Sequence, residues 1–418
     1  MVIYRYYLFV SARGESMVNV AVLGFGVVGS GTVEVLDKNS GRIARNAGQE
    51  IKVKRILDIR DFPDSQYKSL FINDFEVIIN DPDIAVVVET IGGTGAALEY
   101  TQRCLEAGKS VVTSNKELVA AHGCELLKLA GERGVNYLFE ASVGGGIPII
   151  RPVAQCIAAN MINEIYGILN GTTNYILTEM EKNDAEFENA LSDAQRKGYA
   201  ESDPSADIDG HDACRKICIL SSLAFGHHIY PEHVPTEGIR GVTMDDLSFA
   251  DKLGCRIKLL VRARAVGDKI AVYVAPHLIS RNNLLSVVDG VMNGIVVRGN
   301  AVGDLLFYGA GAGKMPTASA VAADVIDAVK HMHARKLLGW EEGGADTLAD
   351  STQLESAWYV RTDAARETIE RVFGEVAFAG GGGSATAFRT AFMNGRKIRN
   401  LLDRGIPALS LFRVLGEH

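Results

Sequence analysis

The densest run of reactive side chains is Gly198-Tyr-Ala-Glu201-Ser-Asp203-Pro-Ser-Ala-Asp207-Ile-Asp209-Gly-His211-Asp212-Ala-Cys-Arg215-Lys216. Four carboxylates precede residues 211–224, whose inward positions Ile217, Ile219, Leu220 and Leu223 are apolar, so that stretch is predicted helical. Asp212 and Lys216 then fall one turn apart, in the better order for an ion pair. Two chemistries fit. The acids can simply answer the positive end of the helix dipole. They also suit the ammonium group of a small ligand, which leaves Lys216 to work on an oxygen. A calcium loop would need EF-hand spacing and a closing Glu, and both are missing.

Two further motifs lie earlier. Gly24-x-Gly26-x-x-Gly29 directly follows the β-branched run Val18–Leu23 and opens a helical stretch, the context in which such glycines hold a dinucleotide. Gly24 permits a tight turn, Gly26 lets a pyrophosphate approach the backbone, and Gly29 allows close helix packing, while the helix start offers N–H donors. Near the end of the next predicted strand, Asp58 could accept from the ribose hydroxyls of NAD, and Arg60 could meet the 2′-phosphate of NADP. Asp61 and Asp64 would repel that phosphate and Lys68 would attract it; a charged loop with neither role also fits, and the balance leans slightly to NADP. Ser114-Asn-Lys116-Glu117 follows another strand, where α/β folds place ligands, so Lys116 is either a surface cap or a contact for cofactor and substrate.

These residues need a scaffold. Strands at 18–23, 51–59, 84–88, 110–113 and 136–139 alternate with helical stretches to Asn46, at 97–107 and at 117–130, the signature of a parallel α/β sheet. After Glu140 the texture changes: a glycine break at 144–146, a helix and a strand ending near Leu169, helices at 173–182, 186–197 and 211–224, and strands at 256–265 and 270–275. A glycine turn at 309–313 and a helix over 316–333 suggest a return to the first domain. From Glu355 the order strand, helix, strand, strand, helix, strand, with Gly380–Gly383 at the central turn, suggests a ferredoxin-like module. The expected division is a Rossmann-type dinucleotide-binding domain at 17–140 completed by 309–335, an α+β substrate and dimerisation domain at 141–308, and a βαββαβ module at 352–418.

The 418 residues allow two or three domains and a large core without staples. Lys+Arg 43 against Asp+Glu 51 leaves a net charge of −8, spread along the chain, which argues against a nucleic-acid or anionic-membrane partner. No apolar run approaches the ~20 residues of a membrane helix. The start, Met1–Val10, carries Arg5 inside its apolar stretch and reads as a dispensable extension rather than a signal peptide. Six cysteines without a CxxC pair or a zinc set point to reduced thiols and the cytoplasm.

From Val18 to His333 the chain resembles the homoserine dehydrogenase family. The matching stretches are Gly24–Gly29, Ser114–Glu117, Glu140–Pro148, Asn170-Gly-Thr-Thr-Asn-Tyr-Ile-Leu177, Gly198–Lys216 and Gly309–Ala320, in order and at family spacing. The resemblance implies NAD(P)-dependent interconversion of L-homoserine and L-aspartate 4-semialdehyde. It implies that Lys216 is the general acid/base, that Lys116 lies beside nicotinamide and substrate, and that Glu201, Asp207 and Asp212 hold the substrate with Thr172 nearby. Gly24, Phe25, Gly26, Val27, Val28, Gly29, Asp58, Arg60, Thr90, Ser114, Lys116 and Gly311 would face the cofactor. Glu140, Val143, Gly145 and Ile147 would match the family's monovalent-cation loop, for sodium or potassium, and a homodimer or homotetramer is expected.

Elementary chemistry agrees: a free lysine, with a pKa of ~10.4, is a poor base at neutral pH, and two converging, buried lysines would have lower values. The chain departs from the family in having Asp209 where Asn is usual and Cys214 where Ala is common, and Ser280–Leu285 lacks a frequent histidine. Family members of this length usually end in an ACT domain, whose effector turn carries Pro-Gly; here it reads Arg361-Thr-Asp-Ala-Ala-Arg-Glu-Thr-Ile369, so an ACT-like module with a lost or changed ligand is expected. Aspartate-semialdehyde dehydrogenase, a neighbouring class, would need a nucleophilic cysteine with a histidine, an arrangement not found here. A non-catalytic cofactor sensor would be signalled by loss of Lys116 or Lys216, and both are present.

Overall fold

The computed structural model describes residues 17–334, 336, 338–379 and 385–416. The N-terminal extension and the turn at Gly380–Gly383 lie outside them. The chain forms two compact units, one running to Arg151 and including Ala312–Gly339, the other comprising Pro152–Gly311 and the residues from Trp340 onward.

The first unit is built on a parallel sheet of β1 (Met17–Leu23), β2 (Glu50–Leu57), β3 (Phe71–Ile72), β4 (Ile84–Glu89), β5 (Ser110–Thr113) and β6 (Tyr137–Leu138), in the order 3-2-1-4-5-6. Its central strands are β-branched because both faces are covered: Val20, Val22, Val86 and Val88 are fully buried. Each such side chain contributes about 1.5–3 kcal/mol relative to exposure. After the excursion into the second unit, helix Lys314–Lys330 returns and buries Ala318, Val321, Val325 and Ala328 in the same core as those valines. The helical stretch expected to reach Asn46 is two helices, Val27–Lys38 and Ser40–Ala47, hinged at Asn39. Strand order reverses between β1 and β4, the switch point beyond which open α/β sheets bind ligands.

The second unit carries a ten-stranded mixed sheet. Its strands are β7 (Ile162–Ile168), β8 (Cys255–Val266), β9 (Lys269–Ser280), β10 (Met292–Gly299), β11 (Gly303–Ala310), β12 (Glu355–Thr362), β13 (Ala377–Ala379), β14 (Thr386–Arg389), β15 (Met393–Asn394) and β16 (Ala408–Leu415). The order is 11-10-7-8-9-16-12-14-13, with β15 on β12. The tail has the strand order 16-12-14-13 of a ferredoxin-like βαββαβ unit, with helices Arg366–Phe373 and Gly395–Leu402. It does not stand apart from the rest of its unit, because β16 pairs in parallel with β9 (Arg413 with His277, Leu415 with Ile279). Asp246, fully buried on helix Met244–Lys252, adds a second tie by accepting from Tyr359 Oη at 2.9 Å and Arg361 Nε at 2.8 Å.

The hairpin β10–β11 and helix Met244–Lys252 went unread in the sequence, although both left signals. A Gly-Asn turn flanked by β-branched and aromatic residues marks the hairpin, and Thr243 with Asp246 forms a capping box. The helix expected after the glycine break is a short π-helical segment, Pro152–Cys156.

Candidate active site

In the first unit, Gly24 has φ +88°, and a Cβ there would stand 2.9 Å from the Thr90 carbonyl oxygen. A Cβ on Gly29 would come within 1.9 Å of the Gly24 carbonyl oxygen. Both positions therefore demand glycine. The Thr90 hydroxyl, 2.9 and 3.0 Å from the carbonyl oxygens of Leu23 and Gly24, donates to this turn and pins it to the start of the next loop. Gly26 is different: nothing lies within 4 Å of its would-be Cβ, and it precedes helix Val27–Lys38 without any side-chain cap. Open backbone at an uncapped helix start is what a pyrophosphate needs. Val27 is exposed at this turn, whereas Phe25 and Val28 pack against the core and the Phe25 ring lies 5.1 Å from Phe62 and 4.9 Å from Phe71.

Asp58, just beyond β2, is committed. Its Oδ2 accepts from Phe25 N–H at 2.6 Å and from Arg60 Nη2 at 2.9 Å, and its Oδ1 accepts from Arg60 N–H and Nε, each at 2.9 Å. The Arg60 guanidinium, helped by those N–H groups, holds the Asp58 carboxyl at about 2 against the opposing effect of burial. Arg60 itself is more than half exposed and lies 5.2 Å over the Phe62 ring. Ser114 and Lys116 flank Asn115, whose Oδ1 caps helix Lys116–Arg133 by accepting from Leu118 N–H at 3.1 Å.

Glu140 is buried, and its carboxylate accepts from Ile149 N–H at 2.6 Å, Ile150 N–H at 2.8 Å and Arg151 N–H at 2.9 Å. This clasp across the loop carrying Val143, Gly145 and Ile147 draws residues 141–151 into the first unit, which is why that unit ends later than residue 140. A carboxylate offers about four acceptor positions, so little of Glu140 beyond these three bonds remains for a cation. Among the described residues no cluster of three His, Cys, Asp or Glu side chains could hold a metal ion.

In the second unit, Lys216 and Asp212 sit one turn apart on helix His211–Phe225, both buried. Lys216 Nζ donates to Asp212 Oδ2 at 2.6 Å and to the Leu169 carbonyl at 2.9 Å. Asp207 arrives on the short helix Ser205–Ile208. Asn170 joins the acids, its Nδ2 donating to Asp207 Oδ1 at 2.7 Å and to Asp212 Oδ2 at 2.8 Å. Its Oδ1 caps helix Gly171–Asn183 through Thr173 N–H at 2.8 Å. Burial, then the neighbouring Asp212 charge, raises the Asp207 carboxyl above its usual range, while Asn170, Lys216 and Thr172 pull the other way. Thr172 Oγ1 donates to the Tyr199 carbonyl at 2.6 Å.

Lys216, Asp212, Asp207 and Thr172 thus form one cluster, whereas Glu201 stands exposed in the loop between helices Phe187–Arg196 and Ser205–Ile208, and its carboxylate has no partner among the described residues. Asp209 turns to Arg240 at 2.5 Å, which explains an acid outside the cluster. The Cys214 and Cys218 sulfurs lie 4.0 Å apart. Gly311 closes against the Asn293 side chain, which a Cβ there would meet at 2.2 Å. Asn170 and Asn115, both inside sequence motifs, are N-caps that motif chemistry alone does not predict. Each precedes a helical run as an N-cap should, and that was the readable signal.

Comparison with known proteins agrees with this arrangement. The family model described as homoserine dehydrogenase matches residues 148–326, and that described as homoserine dehydrogenase, NAD binding domain, matches residues 24–140. The chain is 46% identical over 317 residues to the homoserine dehydrogenase of Pseudomonas aeruginosa, covering 75% of this chain and 73% of that one. It is 42% identical over 359 residues to that of Neisseria gonorrhoeae, covering 84% and 82%. The crystal structure of a homoserine dehydrogenase from Thiobacillus denitrificans superposes with a TM-score of 0.86 at 36% identity, over 96% of this chain and 99% of that one. A hyperthermophilic archaeal homoserine dehydrogenase in complex with NADPH superposes with a TM-score of 0.64 at 29% identity, over 75% and 98%. With a glycine turn shaped for a dinucleotide and a buried lysine–carboxylate cluster in the second unit, the chain belongs to the homoserine dehydrogenase family of NAD(P)-dependent oxidoreductases.

Proposed function

We propose that this chain's own residues carry the reaction of its family, the interconversion of L-homoserine and L-aspartate 4-semialdehyde, with Lys216 moving the proton at the C4 oxygen. The observation that carries the assignment is the Lys216–Asp212–Asn170–Asp207 cluster, in which the one lysine is held by a carboxylate and a carbonyl. Bound NAD(P) supplies the hydride acceptor or donor. In the reductive direction the Lys216 ammonium polarises the aldehyde oxygen and then gives it a proton. In the oxidative direction the neutral amine takes that proton from the hydroxyl. Asp207 and Glu201 are suited to the substrate ammonium, with Asp212 orienting Lys216 and Thr172 placing the Tyr199 loop. Lys116, at the start of its helix, serves the cofactor and substrate.

NADP is the favoured cofactor in this reading. Asp58 is already engaged by Phe25 and Arg60, so the free valence at the end of β2 is the exposed face of a guanidinium, which suits a phosphate. A monovalent cation at the loop of Glu140, Val143, Gly145 and Ile147 would depend on backbone carbonyls, because the Glu140 carboxylate already accepts three N–H groups. A homodimer or homotetramer in the cytoplasm and an ACT-like tail without an amino-acid effector complete the proposal. Among the described residues no helix is long and apolar enough to cross a membrane.

The test is nicotinamide absorbance with L-homoserine, using NAD and NADP, each with and without L-threonine. Turnover favouring NADP and indifferent to threonine is expected. No turnover by folded, cofactor-binding protein would refute the reaction, and saturable threonine inhibition would refute the reading of the tail.

A further inference from the structure

Glu89 closes β4 and is completely buried, and it is not among the groups that handle substrate or proton in the proposed reaction. Its Oε1 accepts from Ile91 N–H at 2.7 Å and Gly92 N–H at 3.3 Å, and its Oε2 accepts from the Thr113 hydroxyl at 2.6 Å. The Thr113 oxygen accepts from Asn115 N–H at 2.9 Å. Asn115 Nδ2 donates to the Gly93 carbonyl at 2.7 Å, which returns the path to the loop where it began. The ring is closed: carboxylate, hydroxyl, amide, loop, carboxylate.

Two features set this ring apart from ordinary strand-end packing. Burial pushes the Glu89 carboxyl above its usual range, and the groups that pull it back are neutral donors, namely Thr113, Ile91, Gly92 and Asn115. A buried carboxyl with only neutral partners is costly to ionise, and its hydrogen bonds tie it and its partners to one geometry. The ring also spans the switch point. Thr90, the next residue, donates to the glycine turn after β1; residues 91–93 form the loop after β4; and Asn115 caps the helix whose first residue is Lys116.

We propose that Glu89 is a positioning residue of the reaction: by accepting from Ile91, Gly92 and Thr113 it fixes the loop after β4 and the helix start that presents Lys116. This rests on the reaction assigned above and concerns a residue that touches neither substrate nor the reacting atoms. It acts through Thr113 and Asn115.

The experiment uses the full-length enzyme with two substitutions, Glu89→Gln and Asn115→Ser. The glutamine keeps size and one acceptor oxygen, but whichever way it turns, one arm of the ring loses its acceptor. Asn115→Ser keeps a short capping oxygen and loses the donor to Gly93 without adding a charge, so it decides the matter if Glu89→Gln fails to fold. Each is expected to lower kcat per folded molecule roughly 10- to 100-fold, the scale of a misplacement near 1 Å, with KM for L-homoserine within about threefold. A purely structural role would lower Tm and the folded fraction and leave kcat per folded molecule unchanged; that result in whichever variant folds overturns the proposal. Absence of turnover in the unsubstituted enzyme would instead overturn the assigned reaction.

Discussion

Asn170→Asp is the sharpest perturbation of the Lys216–Asp212–Asp207 cluster. The exchange is isosteric and keeps the Oδ1 that caps helix Gly171–Asn183, so the ~1 kcal/mol of the cap survives. It removes the two Nδ2 donors, to Asp207 at 2.7 Å and to Asp212 at 2.8 Å. Hydrogen bonds to charged groups contribute about 1.5–3 kcal/mol each, so the loss is about 3–6 kcal/mol. A third carboxylate now faces the other two. At 4 Å and an effective dielectric constant near 20, repulsion costs about 4 kcal/mol per pair, enough that proton uptake relieves part of it.

The hydrogen-bond loss alone, about 3–6 kcal/mol in a unit of this size, corresponds to roughly 6–24 °C in Tm. Its pH dependence is the discriminating readout. Asp207 already has a raised folded-state pKa, and a group of that kind supports the fold fully below its unfolded pKa and loses that support as pH rises through the folded one. The variant adds a further carboxyl to the same site, so its Tm deficit against the parent should be smaller at pH 5 than at pH 8. KM for homoserine should rise with it. Thermal unfolding at both pH values, with steady-state kinetics, measures this; equal deficits at pH 5 and pH 8 would refute the electrostatic reasoning, and no deficit at all would refute the cluster.

Three other outcomes are expected. Lys216→Ala should abolish turnover while NADP(H) binding, followed by nicotinamide fluorescence, stays within about twofold; near-normal turnover would sink the proton-transfer role. Glu201→Gln should raise KM for homoserine by about tenfold with a smaller effect on kcat, the scale of one charge-assisted hydrogen bond, and an unchanged KM removes Glu201 from substrate binding. Arg60→Ala should raise KM for NADP at least tenfold and leave KM for NAD little changed or lower, since Asp58 is then released to accept from a ribose; an equal effect on both cofactors would contradict the phosphate reading.

What the sequence disclosed was what local spacing encodes. The glycine turn was legible because Gly24, Gly26 and Gly29 lie between a buried strand and a helix, and Asp212 with Lys216 because they share a helix face. The bonds that make these residues into a cluster were not legible. Asn170 reaches acids 37 and 42 positions away, and Glu89 reaches a hydroxyl 24 positions on. No periodicity announces such contacts. The pairing of Lys216 with the Asp212 carboxylate was readable from their one-turn spacing, whereas the Leu169 carbonyl that holds the same ammonium was not. The tail's secondary structure was readable from its own alternation, but its fusion to the main sheet depends on a parallel pairing of distant segments, which leaves no local trace.

That pairing imposes an order on synthesis and folding. β16 lies between β9 and β12 in the sheet, although it is translated long after β9 and after every other strand of the tail. Until Ala408–Leu415 has left the ribosome, β9 on one side and β12 on the other each present an open edge. Two unsatisfied edges on one nascent chain are a template for pairing with a neighbouring copy, and long-range parallel closure is slow. A stop codon or frameshift just before residue 408 would therefore do more than delete a strand. It would leave the sheet cut through its middle, a polypeptide made for aggregation or for a chaperone.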